Sequence, residues 1–165
     1  MRNDTFILSM TTAALLCATS AQAAAQDQGC IELKTTAAVE QEVADAEGRK
    51  TRQLMPPSRV VPGDEVIWTI TARNVCDRPV ERVVIGNPVP EHMQYLAATA
   101  IGDGSAITYS LDGRDFRAAA DLRVREADGT VRAARPEEYR HIRWSFGAEL
   151  APGAVALARY RATVN

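Results

Sequence analysis

The sequence predicts an all-β fold, an antiparallel β-sandwich in a single domain, on three observations. Apolar residues recur at every second position in one segment after another. Proline, glycine and asparagine turn signals separate those segments at intervals of about ten residues. Past residue 30, no stretch sustains a helical period. The 165 residues suffice for one good domain and are too few for two once a leader is set aside. About eight short strands with such turns argue for two stacked sheets, with a closed barrel as the alternative.

The first 23 residues read as a secretory signal. Arg2 supplies the positive start, Phe6 to Ala18 forms an apolar stretch, and Ala21-Gln22-Ala23 offers the small residues a signal peptidase accepts. Cleavage after Ala23 or Ala25 is equally readable, leaving a short linker over 24–29 before a domain spanning 30–165. The apolar stretch is too short, and too broken by Ser and Thr, for a membrane span of about 20 residues. Lipid attachment at Cys17 is disfavoured by Leu16, because that position calls for a small residue. The expected product is periplasmic, secreted or cell-surface, with no membrane span.

The strands follow in order. Ile31, Leu33, Thr35, Ala37, Val39, Gln41 and Val43 share one face of a long first strand, and Glu32, Lys34, Glu40 and Glu42 share the other. Residues 45–48 turn the chain, 49–54 return it as a short arm, and Met55-Pro56-Pro57 stops it, since proline cannot donate to a ladder. Val61-Pro62-Gly63-Asp64 is a turn, after which Val66, Trp68, Ile70 and Ala72 face one way. Residues 80–85 form a further strand, closed by Asn87-Pro88-Val89-Pro90, and 93–97 and 106–111 are short strands. Asp112-Gly113 and Asp128-Gly129 are hairpin dipeptides, the second pairing 122–125 with 130–133. Ile142, Trp144 and Phe146 alternate on the next strand, and Pro152-Gly153 leads into a last one with Ala158, Tyr160, Ala162 and Val164 on one face. Trp68, Ile70, Tyr109, Trp144 and Phe146 are the expected core.

Loss of the leader removes Cys17 and leaves Cys30 and Cys76, an even number in an oxidising compartment. Cys30 begins the first strand and Cys76 follows the strand that carries Trp68. If those strands pair antiparallel, the two residues meet, so a disulfide is expected; two free thiols or an intermolecular bond are the alternatives. The closed loop would be worth roughly 4 kcal/mol at the upper end. No Cys-x-x-Cys pair suggests redox catalysis.

The run Val61-Pro62-Gly63-Asp64-Glu65-Val66-Ile67-Trp68-Thr69-Ile70-Thr71, then Asn74, then Val83 to Pro90, resembles a conserved repeat of bacterial surface proteins, the domain of unknown function numbered eleven. The tail from Pro152-Gly153 to Val164 is similar to that family's closing strand. The resemblance implies an immunoglobulin-like sandwich in an envelope or surface protein with a structural or adhesive role. It says nothing about chemistry, because the proline, glycine and asparagine that carry it are turn residues. Cys76 stands where the family's turn has glycine, and the chain has one copy where tandem arrays are usual, which argues against a long adhesin stalk.

Little else points to a reaction. His92 and His141 are the only histidines, too few for a three-histidine metal site. There is no Gly-x-Ser-x-Gly elbow and no phosphate-cradling loop. Asp103, Asp112 and Asp115 lie in glycine turns, but the alternating carboxylates of a calcium loop are missing. Residues 110–116 are similar to an Asp-box hairpin with one residue too few, a structural motif. A net charge of −2 favours neither nucleic acid nor an anionic membrane. Arg123, Arg125, Arg132, Arg143, Arg159 and Arg161 could gather on one exposed face, though acidic neighbours make it a mixed one. The expectation is a non-catalytic envelope module without cofactor or metal, contacting a protein partner or assembling with itself. A periplasmic glycan- or small-ligand-binding domain is the alternative.

Overall fold

The computed structural model describes residues 29–44 and 46–165. The expected leader over 1–23, and all of the linker but Gly29, lie outside the described residues. Ten strands follow: β1 Ile31–Ala44, β2 Lys50–Met55, β3 Glu65–Asn74, β4 Val84–Pro88, β5 Met93–Tyr95, β6 Ser105–Ser110, β7 Arg123–Arg125, β8 Val131–Ala133, β9 His141–Phe146 and β10 Val155–Val164. One sheet has the order β2-β1-β3-β10-β5, a second β4-β9-β6, and β7-β8 is a separate hairpin. Every pairing of named strands is antiparallel. The chain is an all-β, immunoglobulin-like sandwich: two open sheets stack face to face, and no barrel closes.

The core follows from alternation. Val66, Ile70 and Ala72 of β3, Ile142 and Trp144 of β9, and Ala156, Ala158, Tyr160 and Ala162 of β10 are all buried. Alanines on the large sheet leave room for the rings of Trp144 and Tyr160, whose centroids lie 6.2 Å apart. All four tyrosines join this interior: Tyr109 lies 4.7 Å from Tyr139 and Tyr95 5.8 Å from it, ring to ring. The Tyr160 hydroxyl accepts from Asn87 Nδ2 at 2.8 Å, so its polar tip is satisfied. Burial pushes the Tyr109 and Tyr160 hydroxyls above the ordinary tyrosine value, and a hydrogen bond to Tyr95 adds to the rise at Tyr109.

The Pro-Gly turns form as their chemistry dictates. Gly63 and Gly153 both have positive φ, and the Asp64 and Ala154 amides donate back to Val61 and Ala151 at 3.0 Å each. At the Pro152–Gly153 end, Asn74 is fully buried. Its Nδ2 donates to the carbonyls of Arg78 at 2.7 Å and Leu150 at 2.8 Å, and its Oδ1 accepts the Cys76 amide at 3.0 Å. Cys30 and Cys76 are joined beside it, with Cα atoms 5.1 Å apart across a sequence separation of 46.

Three expectations need correction. The strand expected at 80–85 is displaced to Val84–Pro88, because Arg82 takes a left-handed backbone (φ 53) and breaks the alternation. Val80 instead makes an isolated bridge to Leu150. Pro88 lies within β4, tolerated because β4 is an edge strand. The first strand's apolar face is not buried throughout: Leu33 is 59% exposed and Val43 37%. Finally, the six arginines occupy separate surfaces. Arg159 and Arg161 lie outside the large sheet, Arg143 outside the small one, and Arg123, Arg125 and Arg132 on the β7-β8 hairpin.

Asn74→Ala removes three hydrogen bonds at once, those to the Arg78 and Leu150 carbonyls and from the Cys76 amide, and is expected to cost about 3 kcal/mol. A urea midpoint unchanged from the parent chain would contradict that role. Exported protein should show no free thiol before reduction, and Cys30→Ser combined with Cys76→Ser should lower unfolding free energy by about 2–4 kcal/mol in the same titration.

Candidate interaction surfaces

β1 is longer than the sheet that holds it. Its residues Ile31 to Ala38 pair with β3, and Val39 to Ala44 pair only with β2. Every residue of β2 is exposed. Residues 39–44 and 50–55 therefore extend past β3 as a two-stranded ribbon. One ribbon face carries Val39, Gln41 and Val43 opposite Met55, Gln53 and Thr51, and the other carries Glu40, Glu42 and Ala44 opposite Leu54, Arg52 and Lys50. Leu54 is 51% exposed and Met55 40%.

The charged ribbon face is tied to the sandwich at its root. Arg161 on the outer face of β10 meets Glu40 at 2.7 Å through Nη2 and Glu65 at 3.4 Å through Nη1. Further out, Lys50 pairs with Glu42 at 3.2 Å and Arg52 with Glu40 at 3.9 Å. The hydrogen bond from Arg161 holds the Glu40 carboxyl below the ordinary glutamate value. A two-stranded ribbon has no core of its own, so this ion pair and the β1 backbone set its direction.

At the opposite end, where Asn74 closes the fold, a cavity of about 330 Å³ opens beside the first residues of β10. Val83, Ile101, Phe146, Leu150, Ala156 and Leu157 line it, with Asp103 and Glu149 as its charged members. Gly102 lines it too, and a Cβ there would come within 2.7 Å of Trp144 Cδ1. The space has the character of an apolar pocket without a converging set of acids and bases.

Two of the remaining residues singled out from the sequence, Asp112 and Asp115, are held by turn hydrogen bonds and an ion pair. Asp112 Oδ1 accepts the amides of Arg114 at 2.9 Å and Asp115 at 3.1 Å and the Ser110 hydroxyl at 2.9 Å, which hold its carboxyl down at about 2. Asp115 pairs with Arg117 at 2.8 Å, and Asp103 lies at the cavity instead. His92 takes a left-handed backbone (φ 62) in its loop. His141 is half-buried rather than solvent-facing, because the 112–116 loop folds back and brings Gly113 against its ring. Arg143 lies 3.5 Å over the Phe116 ring. Among the described residues, no group of three or more His, Cys, Asp or Glu could hold a metal, and no helix is long and apolar enough to cross a membrane. The ribbon root was missed from sequence. Its signals were a first strand of 14 residues and the returning arm expected at 49–54, which forms β2 at Lys50–Met55.

No family model, no curated protein and no solved structure matches this chain.

The Glu40 shift gives the ribbon a pH dependence. Its lowered carboxyl stabilises the anchored ribbon fully above the ordinary value of 4.5, and that contribution disappears as pH falls through the lowered value. Glu40→Gln should reproduce the acid behaviour at neutral pH. Hydrogen exchange over 39–44 and 50–55 is expected to speed up with core strands β3 and β10 unchanged; equal protection in both chains refutes the anchor.

Proposed function

We propose that this chain is a non-catalytic interaction module of the bacterial cell envelope, exported by its leader, that holds a protein partner through the 39–55 ribbon. The observation that carries the reading is the ribbon itself: a projecting two-stranded ladder whose outer strand is exposed at every residue. Such a strand presents unpaired backbone donors and acceptors to an extended partner, and Val43, Leu54 and Met55 add apolar contact. The leader-like start and the Cys30–Cys76 bond suit an oxidising compartment outside the cytoplasm. The likeness to a repeat of bacterial surface proteins points the same way. Asp112 is engaged by turn hydrogen bonds and Asp115 by Arg117, which supports a role in contact rather than catalysis.

A second reading, a periplasmic small-ligand binder, is favoured by the apolar cavity at Phe146 and Leu157. A glycan is the weaker form of that reading, since every described Phe, Tyr and Trp is buried or half-buried.

A photo-crosslinker placed at Gln53 in intact cells should trap one defined envelope protein, while the same group at Arg114, remote in the fold, should not. Arg52→Pro should abolish the adduct, because proline cannot donate to a ladder. Identical adducts from Gln53 and Arg114, or none from Gln53, would rule the ribbon out.

A further inference from the structure

The other half of β1 has an open flank of its own. On one side Ile31 to Ala38 are paired with β3; on the other, among the described residues, no strand lies beside them, because β2 stops opposite Val39. Pro56 and Pro57 end β2 there, and residues 57–60 line a pocket with Ala37 without joining the ladder. Eight residues of edge are left in line with β2.

Backbone parity decides which groups that edge presents. The Val75 amide donates to the Cys30 carbonyl at 2.8 Å, and the register places these two residues opposite each other. In an antiparallel ladder the bonded pairs alternate, so Glu32, Lys34 and Thr36 turn their backbone toward β3. Ile31, Leu33 and Thr35 turn theirs outward. Leu33, at the centre of this trio, is 59% exposed and lies on the core-facing side of the sheet. Glu32 and Lys34 flank it on the outer side, both exposed, and neither enters an ion pair among the described residues.

We propose that two copies of this chain associate by pairing β1 antiparallel with β1, on a two-fold axis through Leu33. This goes beyond the reading of the ribbon and does not depend on it. The charge pattern selects a second copy. With Leu33 opposite Leu33, Glu32 of each copy faces Lys34 of the other, and Ile31 faces Thr35. Two opposite-charge pairs form on one face and an apolar strip on the other, all from one self-complementary pentapeptide. A lone lysine on an edge strand repels such pairing; a glutamate and lysine two residues apart, of opposite sign, do not. The result joins two large sheets into one, with the ribbons projecting from either end. A ladder this short buries less than a standard interface, so the equilibrium is expected on the order of micromolar.

Sedimentation velocity on the purified mature chain, over a wide concentration range, tests it. The parent chain should pass from monomer to dimer. Glu32→Lys alone and Lys34→Glu alone each place two like-charge pairs in the interface and should weaken association about tenfold. The double exchange restores opposite charges and should recover it. Leu33→Cys should form an intermolecular disulfide under mild oxidation, because bonded antiparallel pairs hold their Cα atoms about 5.5 Å apart. A chain that stays monomeric at every concentration overturns the proposal, as does a dimer indifferent to the single reversals or not rescued by the double one. A monomer that still crosslinks through Gln53 would sink this proposal and leave the ribbon reading intact.

Discussion

The architecture depends on the side chain of Asn74. It sits at the end of the strand carrying Trp68, with no exposed surface, and its amide bonds three backbone groups from two separate segments. Its own backbone is equally engaged, the amide donating to Ala154 at 3.0 Å and the carbonyl accepting Gly153 at 2.9 Å. A buried amide whose bonds are made stabilises the turn, and its removal would break three hydrogen bonds at once. The turn that delivers Cys76 to Cys30 and the loop that starts β10 are both set by this one residue.

Closing one end has a consequence at the other. β1 is fixed by the disulfide at its start and by β3 over its first eight residues, after which nothing in the large sheet remains to pair with it. The strand continues because its alternating sequence favours extended backbone, and β2 supplies its only partner. Five strands against three also leave the sandwich lopsided. The small sheet covers the aromatic interior, while β1 lies beyond its reach, which explains why Leu33 is exposed on the face that β3 and β10 bury.

The two ends therefore differ in physical character. The Asn74 end contains the largely apolar cavity, where Trp144 leaves room for nothing larger than glycine at position 102. The ribbon end is charged, with Arg161 shared between Glu40 and Glu65. Exposed ion pairs of this kind contribute little to global stability, and their effect here is to orient a segment that has no interior. The two ends thus present surfaces of different chemistry.

Much of this was legible in the sequence. Period-two alternation at Val66–Ala72 and Ala158–Val164 identified the faces that are buried, and Pro62-Gly63 and Pro152-Gly153 identified turns, because both signals are local. The Cys30–Cys76 pairing followed from two strands and their direction. The rest was settled by contacts between distant segments. Alternation in β1 says which residues share a face but not whether any layer lies over that face, so the ribbon and the open edge needed the strand order. Alternation cannot foresee Arg82 in a left-handed conformation, which shifts β4, nor a loop returning to cover His141. Arginines spaced two apart look like one patch until the strands are assigned to opposite sheets. Local periodicity determines how each strand is built, whereas burial depends on what the rest of the chain brings against it.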